Sequence, residues 1–305
     1  MSQVQRNAGP PLVSELSLVK TKYRKQSRMT QVWKRIKRNR AALLGLFILC
    51  IFLFFTVFAN LIADYESMAI RHDTAHRLQP PTRQHIFGTD EFGRDIFART
   101  IHGARVSLSV GIVSTVVSVL LGGVIGLAAG YYGGHFDSIV MRIVDVFMGI
   151  PVILVAISIA AALGPGIINL LIAITLAQVP RFVIITRSMI LTIVGQEYVE
   201  AARAYGSRDA HILFRHILPN AMGLIVVQAT MSVSSMILST AALSFLGMGV
   251  QPPDPEWGSM LSDGREYMRY SMHVVLYPGL AISFASLALN MLGDGLRDAL
   301  DPRQG

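Results

Sequence analysis

Cysteine is nearly absent: Cys50 is the only one in 305 residues. A single thiol excludes an internal disulfide and cannot supply a multi-cysteine metal cluster. Lysine is just as restricted, because none occurs after Lys37. Everything beyond that point therefore lacks the lysine of a phosphate-binding P-loop or of a Schiff base. The eight histidines form no HExxH pattern, and His211 with His216 reads as part of a polar loop rather than as a ligand pair. Spacing offers no defensible Ser-His-Asp constellation either, since serines in apolar helices commonly bond across to neighbouring helices. Charge is scarce at 15% of residues, against 52% hydrophobic, and mean hydropathy is +0.50. These shortages argue against catalysis, a metal or a cofactor in the chain itself.

What the chain has instead is apolar length. Six stretches, near 41–62, 106–130, 139–162, 167–189, 220–246 and 273–293, are each long enough to cross a hydrocarbon core of about 30 Å as a helix. The alternating pattern of a membrane barrel is missing, which leaves an all-α polytopic bundle as the expected fold. Residues 1–40 carry eleven Lys or Arg against one acid, Glu15, immediately before the first apolar run. That asymmetry predicts a cytoplasmic basic tail, and six crossings return the carboxyl-terminal tail, 294–305, to the same side. Six arginines between 64 and 105 run against this rule, but six acids accompany them in a fairly long segment. Beside a membrane span the basic run reads as a topology signal, and nucleic-acid binding is excluded. The first apolar run is too long, and its basic flank too extended, for a cleaved signal peptide, so an uncleaved anchor is expected despite the small residues at Ala59 to Ala63. Arg142 and Asp145, one turn apart, are expected to pair locally near the cytoplasmic surface rather than to relay protons.

Between two of the apolar stretches, residues 196–220 are polar. Residues 196–205 favour helix, with alanines at 201, 202 and 204 and Glu200 three residues before Arg203. Gly206 can take the left-handed conformation that ends a helix, and Ser207 with Asp209 is read as an N-cap and first-turn acid for the next one. Pro219 suits a first helical turn, so a span is expected to start near it. Two short helices joined at Gly206 make a bent knuckle, small at Ala201 and Ala202. The spacing Glu200-Ala201-Ala202, Gly206, Leu218-Pro219 resembles the EAA loop of ATP-binding-cassette (ABC) importer permeases. His216, where the wider superfamily often has an aliphatic residue, is similar to the peptide-permease branch. An ordinary helical hairpin is the alternative.

Two further segments strengthen the resemblance. Gly88-Thr89-Asp90-Glu91-Phe92-Gly93-Arg94-Asp95, within the 63–105 segment, resembles the G-T-D-x-x-G-R-D signature of the dipeptide, oligopeptide and nickel permease family, C-type subunit. Leu246 to Gly258, containing Gln251, Pro252, Pro253, Glu256 and Trp257, resembles the same family's Q-P-P-x-P-E-W-G stretch, and the ending Gly293 to Pro302 is similar as well. On the topology above both outer segments share one face. Their prolines prevent a regular helix, and Trp257 is expected at a membrane interface, so they are read either as a gate that meets a solute-binding protein or as a structural cap over helix ends. Gly122, Gly126 and Gly130 form a small-residue packing face, while Gln228, Ser232, Ser235 and Ser239 form one polar stripe. Pathway lining and interhelical hydrogen bonding explain that stripe equally well.

The resemblance implies a type I permease fold, with 106–293 as the five-helix transmembrane domain. It implies a non-catalytic subunit of a bacterial inner-membrane importer, coupled at Glu200 to Pro219 to two ATPase subunits that bind ATP and Mg. It also implies a homologous B-type permease and an extracytoplasmic binding protein, with short peptides as cargo and nickel or glutathione as alternatives. A gradient-driven secondary transporter would want intramembrane acids and repeated broken helices, which the sequence does not offer. A cargo-free membrane scaffold would use the knuckle only for docking. Topology is directly testable: in a Cys50→Ser background, Arg208→Cys should react with a membrane-impermeant thiol reagent only after the membrane is opened. Labelling in intact cells would place the knuckle outside and overturn the reading.

Overall fold

A computed structural model describes residues 28–300; the basic residues before 28 and the last five residues, including Asp301 and Pro302, lie outside the described part. The order of helices is α1 (Arg28–Ile36), α2 (Arg40–Val57), α3 (Ile96–Tyr132), α4 (Gly134–Met148), α5 (Val152–Leu163), α6 (Ile167–Val194), α7 (Glu197–Ala204), α8 (Asp209–Phe245), α9 (Trp257–Gly264) and α10 (His273–Leu300). Among the described residues there is no sheet, only an isolated bridge between Thr89 and Asp95. Five of the helices, α2, α3, α6, α8 and α10, are long and apolar enough to cross a membrane.

The third expected span, 139–162, is not one straight helix. It divides into α4 and α5, which meet at 87° across Gly149, Ile150 and Pro151. Pro151 stands as the N-cap of α5, where its missing donor costs nothing and its fixed φ starts the new direction. If the bent pair is one span, the total rises to six. The expected pairing of Arg142 with Asp145 is also absent: no ion pair joins them, and both are exposed. The pair at this end is instead Arg187 on α6 with Asp137 on α4, held by two parallel bonds, one of them 2.6 Å long. An acid in the first turn of α4 meets a guanidinium across the helix interface, a geometry that one turn of a single helix does not offer.

The bundle is assembled around α3, whose 37 residues give it a length of about 55 Å. Gly122, Gly126 and Gly130 face Val179, Phe182, Val183, Thr186 and Ile190 of α6, as the small-residue spacing predicts. An added Cβ at Gly126 would lie 2.5 Å from the Val183 carbonyl oxygen, so the two backbones approach as closely as glycine allows. Gly111, on another face, receives the Ile237 side chain of α8. Ser118 adds a bond from its hydroxyl to the Thr175 carbonyl, 3.1 Å across the seam.

The first two helices wrap this core from outside. α2 is apolar on all sides and leaves Leu44, Phe47, Leu53 and Phe54 exposed, while Ala42 and Gly45 pack against Gly295 and Ala288 of α10. Asn39 caps it by accepting from Ala42 N at 3.1 Å and donates to Asp298 at 3.2 Å, tying the start of α2 to the end of α10. Arg35 donates to the Ala299 carbonyl beside it. Substituting Gly126 by leucine should force α3 and α6 apart and destabilise the bundle by about 1–3 kcal/mol or more. Thermal unfolding of the detergent-purified protein would read this as a lowered midpoint, and Gly123→Ala, in the same helix with its nearest neighbour 3.9 Å from the added carbon, controls for the loss of a helical glycine.

Candidate functional site

The passage at 196–220 folds into a knuckle at one end of the bundle. α7 ends at Ala204 with Tyr205 as its C-cap; Gly206 follows at φ +75°, Ser207 N–H donates to the Ala202 carbonyl and Gly206 N–H to the Arg203 carbonyl, 3.1 and 2.9 Å away. This double closure is the Schellman stop, and glycine accepts its left-handed backbone without a Cβ penalty. The next helix begins differently from the sequence expectation. Ser207 does not cap it; Arg208 occupies that position without a side-chain bond, and the acid Asp209 instead accepts from the Tyr131 hydroxyl at 2.6 Å. α8 then runs as one helix to Phe245, with wide turns over Ile212–Ile217 before regular turns resume at Leu218. Pro219 lies in the first of those regular turns, and the wide turns before it let the helix absorb its missing donor.

Apolar contacts seat the knuckle. Val199, Ile212 and Ile217 are fully buried and pack with Ile190 of α6, Ala221 of α8 and Tyr131 of α3. Glu200, Ala201, Gly206 and Pro219 stay exposed, and Ala202, His216 and Leu218 are half-buried. Asn220 donates to the His216 carbonyl at 2.7 Å and to the Tyr198 hydroxyl at 3.2 Å, so His216 marks a fixed turn of backbone. The sequence reading missed three exposed aromatics here: Tyr205, 90% exposed at the tip, Phe214 at 68% and Tyr198 at 42%. Aromatics inside an otherwise polar passage were the available signal, because such rings left uncovered mark interaction surfaces.

At the other end, Gly88 to Asp95 ties itself into a buried knot. Asp90 Oδ1 accepts from the backbone N–H of Phe92 and Arg94, each at 2.9 Å, and Oδ2 meets Arg94 Nε at 2.6 Å and Arg99 Nε at 3.3 Å. Arg94 also reaches Glu91 at 3.0 Å and stacks over Phe92. Thr89, Asp90, Arg94 and Asp95 are all buried. Asp95 caps α3 by accepting from Ala98 N at 2.8 Å, and its other oxygen lies 2.8 Å from His85 Nδ1. Gly93, at φ +78°, sits where an added Cβ would fall 1.7 Å from the Asp73 carbonyl oxygen; at Gly88 it would fall 2.5 Å from that of Gln79. Burial, and then the neighbouring Asp90 charge, push the Glu91 carboxyl above its ordinary range. Asp263 on α9 is raised too, first by burial.

The second outer segment joins the same knot. Arg99 donates to the carbonyls of Ala69, at 2.9 Å, and Pro253, at 3.3 Å, so one guanidinium bridges both segments to Asp90. Tyr65 donates to Asp254 at 2.7 Å, and burial together with that carboxylate pushes its hydroxyl up to about 12. Gln251 folds back onto the carbonyls of Gly247 and Gly249. Glu256 caps α9 through Ser259 N at 2.9 Å and accepts from Ser107 at 2.8 Å. Trp257 corrects the sequence expectation: it is fully buried rather than interfacial, donates its indole N–H to the Thr100 carbonyl at 2.9 Å and meets Phe52 edge-on. A ring that finds both a donor partner and an apolar cavity gains more inside the bundle than at a water boundary.

Between the two ends, the stripe on α8 faces inward only in part. Ser232 is buried and Ser235 donates to its carbonyl at 2.8 Å, while Gln228 and Ser239 are half-buried. The Ser232 hydroxyl has no protein partner, as is true of Thr175, Gln178 and Ser286 on neighbouring helices.

The geometry therefore has two built ends, an exposed knuckle and a buried knot, joined by helices long enough for a bilayer. Comparison with known proteins identifies the family. Residues 122–305 match the family described as binding-protein-dependent transport system inner membrane component, and residues 27–81 match the N-terminal TM domain of oligopeptide transport permease C. The chain is similar to the dipeptide transport system permease protein DppC of Alkalihalophilus pseudofirmus, 45% identical with 90% of this chain and 89% of the relative covered. It is also similar to the di/tripeptide transport system permease protein DppC of Pseudomonas aeruginosa, 42% identical over 91% of this chain and 93% of the relative, and to the glutathione transport system permease protein GsiD of Escherichia coli, 42% identical over 90% of each. With a family model covering more than half its length and relatives 42–45% identical, the chain belongs to the binding-protein-dependent transport system inner membrane component family of multi-pass permeases.

Proposed function

We propose that this chain is the C-type permease subunit of an ABC importer that carries short peptides across the bacterial inner membrane, with both termini and the knuckle in the cytoplasm. The observation that carries the reading is the exposed, Schellman-closed knuckle, rigidly seated on three membrane helices yet with Glu200, Ala201 and Tyr205 uncovered. Small side chains beside a bare aromatic suit insertion into a groove on a partner. In this reading the partners are two ATPase subunits, which bind ATP and Mg, a homologous B-type permease, and an extracytoplasmic binding protein. The basic flank of α1 and α2 supports the cytoplasmic placement of that end. Peptide cargo rests on the relatives, whose names carry dipeptide, di/tripeptide and glutathione transport.

The outer knot then acts as a platform rather than as a set of contact residues. Asp90, Arg94, Glu256 and Trp257 hold it from within, and a binding protein would rest on its exposed rim. In this reading the half-buried Gln228, Ser235 and Ser239 line a pathway between α8 and a second permease, with Ser232 buried beside them. Alternating access follows if closure of the ATPases shifts the knuckle and tilts the helices attached to it.

Reconstitution with these partners provides the test. Uptake of a labelled dipeptide should require ATP and loaded binding protein, and Ala201→Trp should cut it by about tenfold or more, within the usual span of coupling effects. Uptake driven by an ion gradient without ATP would overturn the proposal, and uptake of chelated nickel in place of peptide would overturn the cargo. Asp90→Asn should act differently. It leaves two buried guanidiniums short of their charge partner, so it should lower the stability of the purified subunit by about 3–5 kcal/mol. A variant with unchanged thermal stability but no response to binding protein would show Asp90 to be a contact residue instead.

A further inference from the structure

The knuckle has covalent continuity with two helices and none with a third. α6 runs into it through Gly195 and Gln196, and α8 begins within it at Asp209. α3 is separated from it by more than sixty residues of chain. Yet α3 is the helix whose first residue is capped by Asp95 of the outer knot and whose backbone continues unbroken to Tyr131 and Tyr132 at the knuckle. Motion of the knuckle can enter this rod across the α3–α6 seam and through whatever grips its inner end.

Tyr131 supplies that grip in three ways. Its hydroxyl donates to Asp209 Oδ1 at 2.6 Å, its ring lies 5.2 Å beneath the Arg203 guanidinium, and its apolar body packs into the cluster of Ile190, Val199, Ile212 and Ile217. Asp209 is the first residue of α8 and Arg203 lies in the last turn of α7, so one side chain touches both arms of the knuckle across the Gly206 bend. A bond to a carboxylate is directional and shorter than a neutral one, which suits transmission of a small displacement. Both arms of the knuckle close on this one side chain.

We propose that Tyr131 is a positioning residue that clamps α3 to the knuckle, so that docking events at the outer platform and nucleotide events at the ATPases are felt by each other along a single helix. The inference deepens the function proposed above and rests on it. Coupling in binding is reciprocal: loaded binding protein changes nucleotide affinity by the same factor that nucleotide changes binding-protein affinity, and stimulation of ATP hydrolysis is a kinetic readout of that link.

The measured quantity is the ratio of ATP hydrolysis with loaded binding protein to hydrolysis without it, for the assembled transporter in proteoliposomes, normalised to ATPase co-purified with the permease pair. Weaker ATPase docking alone scales both rates and leaves the ratio unchanged. Tyr131→Phe, which removes only the hydroxyl, and Asp209→Ala, which removes its acceptor, should each lower the ratio by about fivefold or more, and the double variant no further than either. Asp209 is exposed, so its variant carries the test if Tyr131→Phe fails to assemble. Wild-type ratios in both single variants, or a double variant whose loss is the product of the two, would overturn the clamp. A wild-type transporter with no stimulation by loaded binding protein would overturn the clamp and the proposed function together.

Discussion

The close approach of α3 and α6 across Gly122, Gly126 and Gly130 sets the terms for the rest of the molecule. In lipid there is no hydrophobic gain from bringing two apolar helices together, so association depends on dispersion between surfaces that fit and on bonds such as Ser118 to Thr175. Three glycines on one face let Phe182, Val183 and Ile190 lie against bare backbone. Once that seam is closed, α3 is fixed along most of its length. Its amino-terminal end can then carry the outer knot and its carboxyl-terminal end can meet the knuckle.

The two ends solve opposite problems. The outer knot buries its charges and satisfies them internally: Asp90 receives two backbone donors and two guanidiniums, and Arg99 reaches across to the Ala69 and Pro253 carbonyls. Buried ion pairs of this kind specify one arrangement more than they add stability, because each partner is costly without the other. The knuckle does the reverse, burying Val199, Ile212 and Ile217 while leaving polar and aromatic groups outward. One end is finished within the chain, and the other leaves polar and aromatic groups uncovered.

Much of this was legible in the sequence, for identifiable reasons. Long apolar runs report helices because lipid leaves the backbone no other way to bond, and the Glu200 to Gly206 spacing reports a helix stop because Gly206 alone can take its φ of +75°. The 87° bend at Gly149 to Pro151 was hidden, since the apolar run continues straight through it and hydropathy carries no direction. Trp257 was misread for a related reason: an amphipathic ring is equally suited to a water boundary and to a buried cavity with an acceptor, and only the position of Thr100 decides. The pairing of Arg187 with Asp137, and of Tyr131 with Asp209, joins residues fifty or more apart, beyond the reach of any local spacing rule.

The crowding around Gly88 and Gly93 bears on how such a permease changes over generations. Neither position has space for even one more carbon, and each presses on a backbone carbonyl, of Gln79 or of Asp73, that is itself held in the knot. Single substitutions there meet backbone, which cannot step aside as a side chain would. Change at this end must therefore be written on the exposed rim, one residue at a time, while the interior of the knot is inherited whole.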